Sequence, residues 1–143
     1  MVFTFTSICF SESWYRRDVS FRAKKVIDLT SMPEQVYIFT DVLLNSGSGY
    51  DKTTGKFTAP IDGTYLFTCQ LCPYSSKHIH YGVMVDGTEI VRGYFKTGYS
   101  VCTSFDAITE LKASENVWIQ SFHIDQLYED QWRWNMFSGV LIR

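Results

Sequence analysis

No run of apolar residues in this sequence is long enough to cross a bilayer as a helix, so a membrane span is excluded. A basic surplus is also missing. The formal charge is -2, and the one local excess, Arg16, Arg17, Arg22, Lys24 and Lys25, reads as a solvated strand edge, which sets nucleic acid aside. The opening Met1 to Phe10 has neither a basic start nor an A-x-A cleavage pattern, and is not expected to be a signal peptide. Catalytic signatures are absent as well: there is no G-x-S-x-G, no G-x-x-x-x-G-K and no H-E-x-x-H, and Ser, His and Asp residues lie scattered without a shared motif. The expectation is a binding protein, not an enzyme. No repeat, low-complexity tract or linker divides the chain.

What is abundant is the aromatic side chain, 17% of the 143 residues from 11 Phe, 9 Tyr and 4 Trp. Wide flat rings suit pleated sheets and interfaces, and so many of them suggest that some face a partner. Turn signals recur at short intervals: Asn45-Ser46-Gly47, Ser48-Gly49, Asp51 to Gly55, Asp62-Gly63, Asp86-Gly87, Gly98 and Ser114 to Asn116. Between them, short Val, Ile, Phe, Tyr and Thr runs predict strands at 19–24, 36–39, 41–45, 56–59, 64–71, 104–111, 117–122 and 136–142. Val83 to Val91 predicts a hairpin, because Asp86-Gly87 readily supplies the two positive φ angles of a type I′ turn. In 64–71, Tyr65, Phe67, Cys69 and Leu71 alternate with Leu66, Thr68 and Gln70, so one face meets an opposing sheet and the other a neighbour.

Four cysteines, Cys9, Cys69, Cys72 and Cys102, permit three full pairings. Cys69-x-x-Cys72 has redox or zinc spacing, but it lacks the helix start or second pair those roles need. Buried thiols or one disulfide to Cys102 are expected instead.

From Asn45 to Phe67 the chain fits N-x-G-x-x-Y-D-x-x-T-G-x-F-x-A-P-x-x-G-x-Y-x-F, which resembles the signature of the complement C1q globular-head family. Phe137 to Ile142 resembles that family's closing F-S-G-F-L-L strand, Leu111 to Trp118 its L-x-x-G-D-x-V-W segment, and Val19-Ser20-Phe21 its first strand. Ser114-Glu115 stands where Gly-Asp is usual, and Cys69 where an aromatic is common. The sequence holds no Gly-X-Y tract, so the collagen stalk of complement C1q is missing from it. The resemblance implies an all-β, two-sheet jelly-roll β-sandwich over 19–143, with 1–18 as an arm or short first strand. It also implies a secreted homotrimer related to tumour-necrosis-factor ligands. By residue-wise match, Leu66, Thr68, Phe105, Phe137 and Leu141 are the expected lining of the threefold axis, the alternative being that they fill the sandwich core.

Ligand chemistry is expected on the loop before the last strand, where Tyr128, Glu129, Asp130, Trp132 and Trp134 mix carboxylates with rings that a sugar could stack on. Trp132 and Trp134 could equally start the last strand and pack beneath a loop. A second patch joins His78, His80 and Tyr81; the two histidines share a strand face but have no evident third metal ligand. Calcium, which the resemblance implies near the trimer apex, finds its nearest acidic cluster in Asp125, Glu129 and Asp130. No dense calcium-loop motif supports it. The expected function is innate-immune pattern recognition, a lectin-like hold on microbial glycans or other surface polymers strengthened by several heads. The alternative is a cerebellin- or adipokine-like ligand for a protein receptor.

Overall fold

A computed structural model describes residues 18–143; Cys9 and nearly all of the expected N-terminal arm lie outside the described residues. Among the described residues twelve strands follow one another: β1 Ser20–Val26, β2 Thr30–Ser31, β3 Phe39–Ser46, β4 Tyr50–Asp51, β5 Lys56–Thr58, β6 Gly63–Leu71, β7 His78–Val85, β8 Thr88–Lys96, β9 Thr103–Leu111, β10 Asn116–Ser121, β11 Asp125–Gln126 and β12 Met136–Leu141. They form two five-stranded antiparallel sheets, β3-β1-β12-β6-β9 and β4-β5-β10-β7-β8, with a small ladder of β11 on β2. This is the expected all-β sandwich. The predicted hairpin is present, with Asp86 at φ 48° and Gly87 at φ 86°, and its strands run further than expected, to His78 and Lys96. Val36–Phe39 is not a separate strand: Val36 makes one bridge to Gln120, and Phe39 already opens β3. The Ser114 turn forms with Ser114 itself at φ 79°, a conformation that glycine would adopt at less cost.

Among the described residues, the core takes up nine aromatic side chains, with Phe95 and Phe105 packed against it. Phe21 stacks on Tyr50 and on Phe57 with centroids 5.0 Å apart in each case, and Phe137 meets Phe21 edge-on at 4.9 Å. Phe21, Phe57, Phe67, Tyr65 and Phe137 are essentially without solvent exposure. Each such ring, once buried, contributes about 1.5–3 kcal/mol of transfer free energy.

Three of the five residues expected on the threefold axis point the other way. On β12, Phe137 lies opposite both Ala23 and Cys69, all buried, so it shares their inward face. Leu141 pairs with buried Tyr65 and packs on the core. Phe105 pairs with Cys69 and stacks on Tyr81 at 3.9 Å. The physical cause on β12 is parity: a one-residue slip in register exchanges the two faces of a strand. Leu66 and Thr68 do face outward, and the register sets Val140 beside Leu66 on one flank and Ile108 on the other. The result is a cross-strand aliphatic row, Ile108–Leu66–Val140, with Ile108 68% exposed.

Candidate functional site

Asp125 organises one edge of the molecule from inside. It is fully buried, and its carboxylate accepts bonds from the Tyr37 hydroxyl at 2.8 Å, the Ser121 hydroxyl at 2.9 Å and the His80 backbone N–H at 3.1 Å. Burial, followed by the nearby Asp125 charge, pushes the Tyr37 phenol far above its ordinary value. A carboxyl group buried this deeply needs such hydrogen bonds to offset its loss of water. These bonds tie the chain after β10 to β7. Asp125 is therefore not a solvent-facing calcium ligand.

The other two acidic candidates are also engaged. Glu129 accepts from the Val26 N–H at 3.0 Å, and Asp130 is gripped by the Arg133 guanidinium while accepting from the N–H groups of Trp132 and Arg133 at 2.9 and 2.7 Å. Arg133 holds the Asp130 carboxyl down to about 2. Asp125, Glu129 and Asp130 thus form no common cage, and the calcium expectation does not fit them.

The loop carrying the expected ligand residues is stitched to two others. Cys72 and Cys102 are joined by a disulfide, while among the described residues Cys69 is a buried free thiol whose pKa burial pushes up. The Tyr128 N–H donates to the Cys72 carbonyl at 2.8 Å, the Cys72 N–H donates to Asn135 Oδ1 at 2.7 Å, and Arg133 donates to the Ser100 carbonyl at 3.1 Å. Tyr128 lies edge-on to Tyr74, with the Arg133 guanidinium over its ring. Trp134 is capped by the Lys24 ammonium 3.4 Å from its centroid, whereas Trp132 stands 82% exposed. One end of the sandwich consequently presents Trp132, Tyr99 and Tyr74 to solvent. Tyr74 and Tyr99 carry no sequence signal beyond being aromatic near a turn.

On the outer face of β7, His78 and His80 alternate outward as their spacing predicts, but Tyr81 points inward beneath Gly93 and stacks on Phe105. Gly82 leaves room for Phe122, since a Cβ there would stand 2.5 Å from that ring. The seat of Phe122 brings the next residue, His123, over the strand: its ring lies 4.8 Å from that of His80 and 6.1 Å from that of His78. A cavity of about 300 Å³ opens beside them, lined by His80, Arg92, Gly93, Tyr94 and Phe122. His123 was missed in the sequence because only the reversal after β10 carries it there.

The sequence profile described as C1q domain matches residues 20–142. The chain belongs to the C1q domain family. Complement C1q tumor necrosis factor-related protein 7 of Mus musculus is 33% identical over 119 residues, covering 79% of this chain and 41% of that protein. Complement C1q tumor necrosis factor-related protein 2 of Mus musculus is 32% identical over 108 residues, covering 73% and 36%. The chain thus spans less than half the length of these relatives. Among solved structures, the globular domain of zebrafish complement 1qA protein superposes with a TM-score of 0.69 at 19% identity, covering 88% of this chain and 98% of that one. The C1q-type motif at Asn45–Phe67 is structural in this fold: the Asn45 side chain bonds both the N–H and the carbonyl of Tyr50, and the Tyr50 hydroxyl donates to the Phe39 carbonyl at 2.7 Å.

Proposed function

We propose that this C1q-domain chain is part of a secreted ligand that assembles as a homotrimer and binds a protein receptor. The observation that carries the reading is the aliphatic row Ile108–Leu66–Val140 on the outer face of the β3-β1-β12-β6-β9 sheet, which no other element of the described chain covers. Such a row has no polar handle and gains only by meeting another apolar surface. The Cys72–Cys102 disulfide supports an oxidising, extracellular setting. Two relatives are named as complement C1q tumor necrosis factor-related proteins, which favours a receptor ligand over a lectin.

The loop chemistry supports the same choice. A sugar site needs free, fixed donors and acceptors beside a ring, yet Asp130, Arg133 and Glu129 spend theirs within the fold. What remains at this end is exposed ring surface, the kind that anchors protein interfaces. Exposed Trp132 is the one observation that favours the glycan reading, and one experiment separates the two. Labelled protein should bind cells saturably, lose binding after surface proteolysis, keep it after glycosidase treatment, and weaken at least tenfold with Trp132→Ala. Binding that survives proteolysis but vanishes with glycosidase, together with a Trp132-dependent glycan-array signal, would replace the receptor with a sugar.

A further inference from the structure

The sequence contains three histidines, and all three converge on one spot: His78 and His80 from adjacent outward positions of β7, and His123 from the segment after β10. Each offers a ring nitrogen, and the three lie within 4.8 Å of one another. We propose that His78, His80 and His123 bind one divalent cation of the zinc class, with Asp125 orienting His80 from behind. This inference does not depend on the receptor reading.

Packing alone explains part of the arrangement. His80 and His123 stack with planes 30° apart, and Tyr94 lies 4.9 Å from His80. Packing does not explain the inner nitrogen of His80. Its Nδ1 is buried with no hydrogen-bond partner, and it faces Asp125 Oδ1 at 3.7 Å. Coordination through Nε2 fixes the tautomer with its proton on Nδ1, and that proton then points at a carboxylate already held by Tyr37 and Ser121. A carboxylate behind a ligating histidine is the usual outer shell of a metal site.

The donor set also selects the ion. Imidazole nitrogens suit zinc, nickel and copper, while calcium demands six or more oxygens. Three protein ligands leave a fourth tetrahedral position for water. Zinc–nitrogen bonds of about 2.0–2.1 Å bring tetrahedral ligands to roughly 3.4 Å from one another. Closing from 4.8 Å therefore takes modest ring rotations, and the final torsion of histidine is soft.

The test uses the whole chain after chelator treatment and removal of the chelator. Calorimetric titration with zinc chloride should show one zinc per chain. Cobalt(II) should give the intense visible bands of a four-coordinate site, and calcium chloride should neither bind there nor displace zinc. His123→Ala, at an exposed position, should weaken zinc at least tenfold, and Asp125→Asn by about 10–100-fold. Circular dichroism of each metal-free variant checks its fold. As a measurement that needs no variant, zinc should shift the ring C–H resonances of all three histidines in the native chain. Sub-stoichiometric zinc, unchanged affinity in a folded His123→Ala, equal binding of calcium, or unmoved histidine resonances would each overturn the proposal.

Discussion

The two sheets present opposite solutions to the same problem on their outer faces. Both rest on one aromatic core and follow the same two-residue alternation, yet the β3-β1-β12-β6-β9 face exposes Ile108, Leu66 and Val140 in one row. On the β4-β5-β10-β7-β8 face Tyr94 and Ile90 are exposed, but two of the larger rings are covered from within. The Lys56 ammonium lies 4.2 Å from the Trp118 ring centroid, and the Arg92 guanidinium lies 5.0 Å from that of Phe122. A ring can be covered by a cation of its own chain. An aliphatic row has no such recourse and is shielded only by another apolar surface. Under the proposed trimer, the difference puts the subunit contact on the first face and leaves the second, with its histidines, open to solutes.

The sharpest way to break that division is a charge in the row. Ile108→Asp should convert a trimer into a folded monomer in sedimentation, because desolvating a carboxylate at an apolar contact costs several kcal/mol. Arg92→Asp on the other face should leave the mass unchanged. An intact trimer carrying Ile108→Asp, or a monomer produced by Arg92→Asp, would remove the distinction between the faces.

Next in size is the disulfide, which belongs to neither face and locks the loops at one end of both sheets. Closing a 30-residue separation is worth about 3–4 kcal/mol in the chain-entropy account. Cys102→Ser should lower stability by about that amount in urea unfolding, with the subunit mass unaltered. A loss below roughly 1 kcal/mol would mean that the loops are held mainly by Asn135 and Arg133.

Much of this was legible in the sequence, and the failures have a common form. The fold followed from turn spacing and from the Asn45–Phe67 motif, in which the Asn45 side chain bonds the backbone of Tyr50 five positions on. The hairpin was legible because Asp86-Gly87 is a local signal. Of the five residues expected on the axis, Leu66 and Thr68 face outward on a strand with clear alternation, while β12 reads Met-Phe-Ser-Gly-Val-Leu, apolar on both faces, so its parity was open. His123, the buried role of Asp125 and the exposed Tyr99 depend on how loops fold back over distances of 20 to 90 residues, and no local pattern encodes that.

A smaller effect tests the covered face. Trp118→Ala removes a ring that is 9% exposed and sits under Lys56, and should cost about 2–3 kcal/mol from lost burial and cation–π contact. The same substitution should leave the sedimentation mass untouched. If it dissociates the assembly, the second face also belongs to the subunit contact.

The smallest expected effect lies at the rim of the first sheet, where Glu129 reaches back to the Val26 N–H. Burial raises its carboxyl above the usual Glu value, against the lowering pull of that hydrogen bond, of Asn135 and of Lys25 and Lys24. A carboxyl whose pKa is raised by folding favours the native state fully below its unfolded pKa. That contribution is lost as pH rises through the folded value, where the native state must carry a partly desolvated charge. Glu129→Gln keeps an oxygen for Val26 and removes the charge. The variant should therefore equal the native chain in urea midpoint near pH 4 and match or exceed it at pH 7, with a flatter profile between. A variant that loses stability only at pH 7 would mean that attraction to Lys24 and Lys25 outweighs burial, and that the ionised carboxylate helps to hold this rim of the first sheet.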